Sequence, residues 1–219
     1  KKGEIVGIAG LMGAGRTEFA QSIFGNPKNY KLQGSLTFYG EPKKFKHTSD
    51  AIKAGIAYVT EDRKGDGLFL TQDIKRNISA GNLKALASGG IINENEEIKV
   101  AEEYKESLTI KAASIEQVVG DLSGGNQQKV SLGKWLFVKP KLLILDEPTR
   151  GIDVGAKYEI YTVMNSLIEE GMSIIMISSE LGEVLGMSDR IYVMADGEMK
   201  GELLGNEADQ EKIMQLATQ

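Results

Sequence analysis

The sequence contains no cysteine, a single histidine, a single tryptophan and four prolines in 219 residues. Without cysteine there is no disulfide, no thiolate nucleophile and no cysteine-ligated zinc or iron–sulfur cluster, which fits a reducing compartment. The histidine, His47, lies beside a predicted hairpin and reads as a solvated surface residue. Apolar runs such as residues 142–145 fall far short of the ~20 residues that span a bilayer, so any membrane link goes through a partner. The formal charge of −5 leaves no basic field for nucleic acid or anionic lipid. Hydrophobic residues make up 41% of the chain, enough to bury a core in one domain or two closely packed lobes. Lys1-Lys2-Gly3-Glu4 enters an apolar stretch with neither the h-region nor the cleavage site of a signal peptide. That abrupt entry suggests a piece of a longer polypeptide.

Short apolar runs alternate with amphipathic segments, which predicts an α/β fold with a mostly parallel sheet covered by helices. Expected strands are residues 5–9, 56–60, 142–146, 173–178 and 190–194. Residues 35–46 read as a small antiparallel hairpin turning at Gly40-Glu41-Pro42. From about residue 73 to 138 the strand signal gives way to a helical insertion, with a helix over 95–108 and a flexible turn at Ala87-Ser88-Gly89-Gly90. One compound domain is expected, its core built from residues 1–72 and 139–219 around a helical subdomain at 73–138. A helix over 154–169, stopped by Gly171, puts Val154, Tyr158, Tyr161, Met164 and Ile168 on one face, read as core. Trp135 reads as packing among Val130, Leu132, Leu136 and Phe137.

The first strand runs into Gly10-Leu11-Met12-Gly13-Ala14-Gly15-Arg16-Thr17, and a helix follows to Phe24, ending at Gly25. Strand, glycine loop and helix amino terminus together aim backbone N–H groups at an anion, and a nucleotide polyphosphate is the expected guest. The phosphate-loop pattern is met except at its lysine, which here is Arg16. A planar guanidinium does not reproduce the compact ammonium, so that exchange is not conservative. Thr17 keeps the hydroxyl that ligates Mg²⁺. Alone, such a loop also serves as an ordinary strand-to-helix turn.

Residues 142–146 supply a second element: a buried apolar strand with Asp146 and Glu147 at its carboxyl end, where α/β sheets bind ligands. Asp146 would hold Mg²⁺, and Glu147 would polarise the attacking water as general base. Acidic residues after a strand also cap turns, but phosphoryl transfer needs both parts and both are present. Upstream, Leu122-Ser123-Gly124-Gly125-Asn126-Gln127-Gln128-Lys129 opens a helix with Ser123 as N-cap, forming a second anion site.

With these motifs in this order, the sequence resembles the ABC transporter ATPases, whose signature reads Leu-Ser-Gly-Gly-Gln. The closer similarity is to the second ATPase domain of tandem subunits serving ribose-, galactose- and xylose-type importers, through residues 10–18, 60–67, 122–130 and 146–157. The resemblance implies ATP and Mg²⁺ as ligands and a head-to-tail pair with a first nucleotide-binding domain. Each nucleotide would lie between one domain's phosphate loop and the other's signature, here Ser123, Gly124, Gly125 and Asn126. It further implies Asp153 in a loop communicating across that interface. A transmembrane permease would dock between the helical insertion and residues 61–70, where Gly65 and Gly67 permit movement. An extracytoplasmic sugar-binding protein would act upstream of it, at the outer side of the bacterial membrane, and no nucleic acid is involved.

Against the family pattern, the Gln that attends Mg²⁺ falls on Glu61 and the switch histidine on Ser179. The adenine-stacking aromatic lies further before the phosphate loop than the sequence extends. Stacking contributes ~1–3 kcal/mol, so nucleotide affinity is expected to fall roughly 5- to 150-fold. The phosphate-loop side is altered while the signature and carboxylate pair are intact. The expectation is a slow or non-hydrolytic own site and a signature that completes the partner's site. A DNA- or ribosome-associated ATPase of the same class, lacking here its coiled coil and basic linkers, and a purely non-catalytic nucleotide-binding module are the alternatives.

Overall fold

The computed structural model describes residues 1–25 and 32–218. In chain order the elements are β1 (Ile5–Gly10), α1 (Arg16–Phe24), β2 (Leu36–Phe38), β3 (Glu41–Lys43), α2 (Thr48–Ala54) and β4 (Ile56–Val59). Then come α3 (Ile74–Ser79), α4 (Leu83–Leu86), β5 (Ala87–Ser88), β6 (Ile91–Ile92), α5 (Glu94–Ser107) and α6 (Gly124–Leu136). The chain closes with β7 (Leu142–Asp146), α7 (Val154–Glu169), β8 (Ser173–Ile177), α8 (Leu181–Met187), β9 (Arg190–Ala195), β10 (Glu198–Leu204) and α9 (Gln210–Ala217). Among the described residues no helix is long and apolar enough to cross a membrane.

Two compact units emerge: residues 1–58, 141–147 and 167–219 form the first, and residues 59–140 and 148–166 the second. The sequence boundaries at 72 and 139 therefore differ from the observed ones, since residues 59–72 and 148–166 group with the helical segment.

The sheet is six-stranded in the order β10-β9-β1-β8-β7-β4. β1 is parallel to both β8 and β9, and β7 is parallel to β8. Leu143, Ile144 and Leu145 are fully buried, as a continuous apolar run in an interior parallel strand requires. Register pairs Gly10 with Met194 and Asp146 with Ile177, so the glycine loop and the carboxylates leave the same edge of the sheet. That edge is where open α/β sheets place ligands.

β10 was not expected from sequence, because Glu198-Met199-Lys200-Gly201 is a polar edge strand with a bulge after Met199. Its cue is the Asp196-Gly197 pair, both residues with positive φ (51° and 79°), forming a two-residue turn between Ala195 and Glu198. The same geometry is found in two other turns. The 36–43 hairpin turns at Tyr39-Gly40 (φ 52° and 79°), and Glu41 and Pro42 belong to β3. Gly89-Gly90 (φ 59° and 85°) is the tight turn of the β5–β6 hairpin, at the place where a turn was expected. His47 is exposed at the start of α2, as expected.

In the second unit α3 packs on α5 and α6. Residues 63–67 form a π-helical turn, with Asp62 Oδ1 accepting from the N–H groups of Lys64 and Gly65 and Lys134 Nζ donating to the Gly67 carbonyl. These bonds define the turn that contains Gly65 and Gly67. Trp135 is half-buried with Lys134 Nζ over its ring.

Helix α7 has the expected bounds and ends with Gly171 in the left-handed region, but the predicted core face is rotated. Val154 and Tyr158 are 82% and 73% exposed, while Ile160, Met164 and Leu167 are buried. The helical period fits both faces, and packing selects the one containing Ile160. Met164→Ala is expected to cost ~2–5 kcal/mol of unfolding free energy, and Tyr158→Ala about 0.5 kcal/mol or less, measured by urea titration. Equal losses would mean that the exposed face is covered in solution.

Candidate functional site

In the first unit, the glycine loop between β1 and α1 is held by Ala14 N–H donating to the Leu11 carbonyl and Gly197 N–H donating to that of Ala14. A Cβ on Gly10 would stand 2.4 Å from the Met194 carbonyl oxygen, so β9 enforces glycine there. Gly13 (φ 82°) is left-handed, and so is Gly15 (φ 88°), which caps α1 with no side-chain hydrogen bond. Gly15 has no side chain to compete with an anion for the first-turn amides of α1. Met12, 94% exposed, and Leu11 leave the loop open to solvent.

The Arg16 guanidinium folds back onto the protein. Its Nη1 donates to the Ser178 carbonyl at 2.6 Å, and its Nη2 lies 3.5 Å from Glu147 Oε1, with both side chains only 10% exposed. The other carboxylate oxygen of Glu147 accepts from the Ser179 hydroxyl at 3.0 Å. Arg16, Glu147 and Ser179, which the sequence scatters over more than half the chain, therefore form one network. Ser178 anchors it from beneath, its hydroxyl donating to Glu183 and accepting from the Glu180 amide. Glu147 itself sits in the left-handed region (φ 49°) while its N–H extends the β7–β8 ladder by donating to the Ile177 carbonyl. A non-glycine residue held there is strained, as residues at functional sites often are.

Asp146 is fully buried. Burial raises its pKa above the ordinary value, opposed by hydrogen bonding from Tyr58 and then from the Thr17 hydroxyl, and reinforced by the charge of Glu147. Tyr58 OH donates to Oδ2 at 2.7 Å, while Oδ1 is buried without a hydrogen-bond partner. An orphaned carboxylate oxygen beside a threonine hydroxyl fits a hard cation that takes one or two protein ligands and completes its shell with phosphate oxygens and water. Thr17 and Asp146 could hold Mg²⁺ in that way. The third expected metal ligand, Glu61, lies in the second unit, where its carboxylate is ion-paired with Arg150.

The second unit also carries the signature. Ser123 caps α6, its Oγ accepting from the backbone and side-chain amides of Asn126 at 3.5 and 2.9 Å. A Cβ on Gly124 would meet Arg63 Nη2 at 3.0 Å and the Gly151 carbonyl at 3.1 Å, and one on Gly125 the Ala156 Cβ at 2.4 Å. Gly125 therefore has no room for a side chain unless α7 shifts, and Gly124 is tightly packed. Arg63 donates to the carbonyls of Arg150 and Gly151, fixing the loop that leads to Asp153. Behind the motif, Lys129 is almost fully buried, bonded to the Thr109 carbonyl at 2.8 Å and to Glu159 Oε2 at 2.7 Å. Its ammonium, and then that of Lys111, hold the Glu159 carboxyl down at about 2.

Tyr58, Arg63 and Lys129 were not singled out from sequence. A hydroxyl in the aliphatic run Ile56-Ala57-Tyr58-Val59 and a lysine in the apolar part of α6 are visible anomalies. Nothing local marks Arg63.

A sheet whose strand ends present a glycine loop and an Asp-Glu pair defines a P-loop nucleotide-binding protein, and comparison with known proteins makes the class specific. The family model for ABC transporters matches residues 1–150, and the chain belongs to that family. It is 55% identical over 218 residues to the L-arabinose transport ATP-binding protein AraG of Geobacillus stearothermophilus. It is 57% identical to the xylose import ATP-binding protein XylG of Thermoanaerobacter pseudethanolicus, and 52% identical to the ribose import ATP-binding protein RbsA of Bacillus cereus. The chain is covered completely in each case but spans only 42–44% of the relatives' length. Among solved structures, an ATP-binding cassette of an ABC transporter superposes with a TM-score of 0.83 at 23% identity, covering 99% of this chain and 88% of that one. Another, cbiO1 of Clostridium perfringens, gives 0.78 at 25% identity, covering 98% and 82%. The fold is thus the ABC-type P-loop fold.

A raised carboxyl pKa has a definite linkage sign. The native chain binds more protons than the unfolded one from the ordinary value of 3.8 upward, so stability falls as pH rises through that window and stays reduced above it. Asp146→Asn is expected to raise the melting temperature of the nucleotide-free chain at about pH 7 but little at about pH 3. It should also abolish the Mg²⁺-dependent part of nucleotide binding. A lowered melting temperature at neutral pH would contradict this account.

Proposed function

We propose that this chain is an ATP-binding domain of an ABC importer that energises monosaccharide uptake at the cytoplasmic face of a bacterial membrane. In this reading its own phosphate-loop site is slow or non-hydrolytic. Its signature completes the ATP site of a first nucleotide-binding domain in a head-to-tail pair. The names of the arabinose, xylose and ribose relatives support the substrate class, and their greater length supports a second ATPase domain on the same polypeptide.

The observation that carries the proposal is the contrast between the two motifs. At the phosphate loop, the cation that should meet the β- and γ-phosphates is bound to Ser178 and Glu147, and both oxygens of the general base are engaged. Nucleotide has to displace Arg16 before Glu147 is free to orient water, and Ser179 has no ring nitrogen to act as a histidine would. At the signature, Ser123 is exposed and Gly124 and Gly125 keep the helix start free of side chains. Mg²⁺ held by Thr17 and Asp146 would neutralise phosphate charge.

A groove in the second unit, about 540 Å³, suits the permease contact. Phe69, 57% exposed, and Leu83 offer it apolar surface beside Lys75 and Arg76. An extracytoplasmic binding protein would deliver the sugar to that permease without touching this chain.

Alone, the chain is expected to hydrolyse ATP far below the ~10 s⁻¹ typical of enzymes. Activity should appear on mixing with the first ATPase domain, persist only while that domain's phosphate loop is intact, and fall on Gly124→Asp in this chain. Equal activity alone, or with the partner's loop disabled, would make this half an ATPase in its own right.

A further inference from the structure

We propose that Asn126 is the positioning residue of the signature: it aims the hydroxyl proton of Ser123 outward, at a phosphate oxygen of the bound nucleotide. This rests on the reading of the signature as a nucleotide contact and adds to it a mechanism by which its serine is oriented.

The polarity follows from hydrogen-bond chemistry alone. The Lys111 backbone N–H lies 2.8 Å from the Asn126 side chain and can only donate, so the atom facing it is the carbonyl Oδ1. The amide is thereby fixed, and its Nδ2 faces Ser123 Oγ at 2.9 Å. An amide nitrogen also only donates, so Oγ accepts there, and it accepts again from the Asn126 backbone N–H at 3.5 Å. A hydroxyl has two lone pairs and one proton. With both lone pairs turned toward α6, the proton is used by neither bond and is left to an acceptor outside the protein. A chain of donors running in one direction, Lys111 N–H to Asn126 to Ser123, also polarises its last member.

The base of this relay is itself held. Lys111 Nζ pairs with Glu159 Oε1 at 2.9 Å, and Glu159 Oε2 pairs with buried Lys129 from α6 at 2.7 Å. The backbone amide that sets Asn126 is therefore anchored to the same helix that carries it. Ser123 is exposed, so its proton is available to an anion. A phosphoryl oxygen, acceptor-only and negatively charged, is the ligand chemistry that profits from a serine whose acceptor side is already occupied.

Asn126→Asp tests the polarity with almost no change of shape. A carboxylate accepts from Lys111 as before but cannot donate to Ser123, so the hydroxyl proton turns inward to Oδ2 and is withdrawn from the phosphate. The measurement is ATP turnover by the full polypeptide assembled with its permease, for the unmodified protein, Ser123→Ala, Asn126→Asp and the double variant. Melting temperature serves as the check on folding. Ser123→Ala is expected to lower kcat by about tenfold or more, the loss of one hydrogen bond to a charged group, and Asn126→Asp by a similar factor. In the Ser123→Ala background Asn126→Asp should change kcat by no more than about twofold, because the relay no longer has an end. Should Asn126→Asp unfold the protein, Asn126→Ala takes its place, with a smaller loss again confined to the Ser123 background. An equal loss from Asn126→Asp in both backgrounds would mean simple charge repulsion and overturn the relay. An Asn126→Asp enzyme with full activity, where Ser123→Ala is impaired, would overturn it too. A Ser123→Ala enzyme with full activity would remove the signature contact itself, and the relay with it.

Discussion

The first unit is organised around one guanidinium. Arg16 stands where a phosphate loop carries lysine, and its planar fork reaches past the loop to the Ser178 carbonyl and the Glu147 carboxylate. A lysine ammonium is a single point of charge on a flexible stem, whereas arginine offers several donors in fixed directions. That difference links the glycine loop, the end of β7 and the segment after β8 into a closed network in which Ser179 takes the remaining oxygen of Glu147. The strained backbone of Glu147 and the buried, half-satisfied Asp146 next to it are held by the same strand ends. In the proposed function this edge of the sheet receives phosphate and cation, while both oxygens of Glu147 are already engaged.

The second unit solves a different problem with the same materials. Its helix start carries two closely packed glycines, Gly124 and Gly125, and the polar groups beside them are oriented from behind. Asn126, Lys111, Glu159 and Lys129 form that backing. One motif closes on itself and the other points outward, which gives the proposed division of labour between two ATP sites its physical basis.

Much of this was legible in the sequence where the signal is local. The apolar run of residues 142–145, the glycine spacing from Gly10 to Gly15 and the Ser123 cap each specify their own element within a few residues. What was not legible depends on neighbours distant in the chain. Nothing near Arg16 announces Ser178, 162 positions away, as its acceptor. Tyr58 meets Asp146 only because β4 lies beside β7 in the sheet. The rotated face of α7 shows the same limit: Val154 and Tyr158 share a helical face as well as Ile160 and Met164 do, and periodicity alone does not choose. The Asp196-Gly197 turn was the exception, a local signal strong enough to have predicted β10.

The most direct test of the central interaction is the affinity of this chain for a non-hydrolysable ATP analogue, compared among the unmodified protein, Glu147→Gln, Arg16→Lys and the double variant. If Glu147 competes with phosphate for Arg16, Glu147→Gln should tighten binding at least about threefold more in the Arg16 protein than in the Arg16→Lys protein, the coupling expected of residues in contact. An identical effect of Glu147→Gln in both backgrounds would show that the two side chains act independently and would contradict the account.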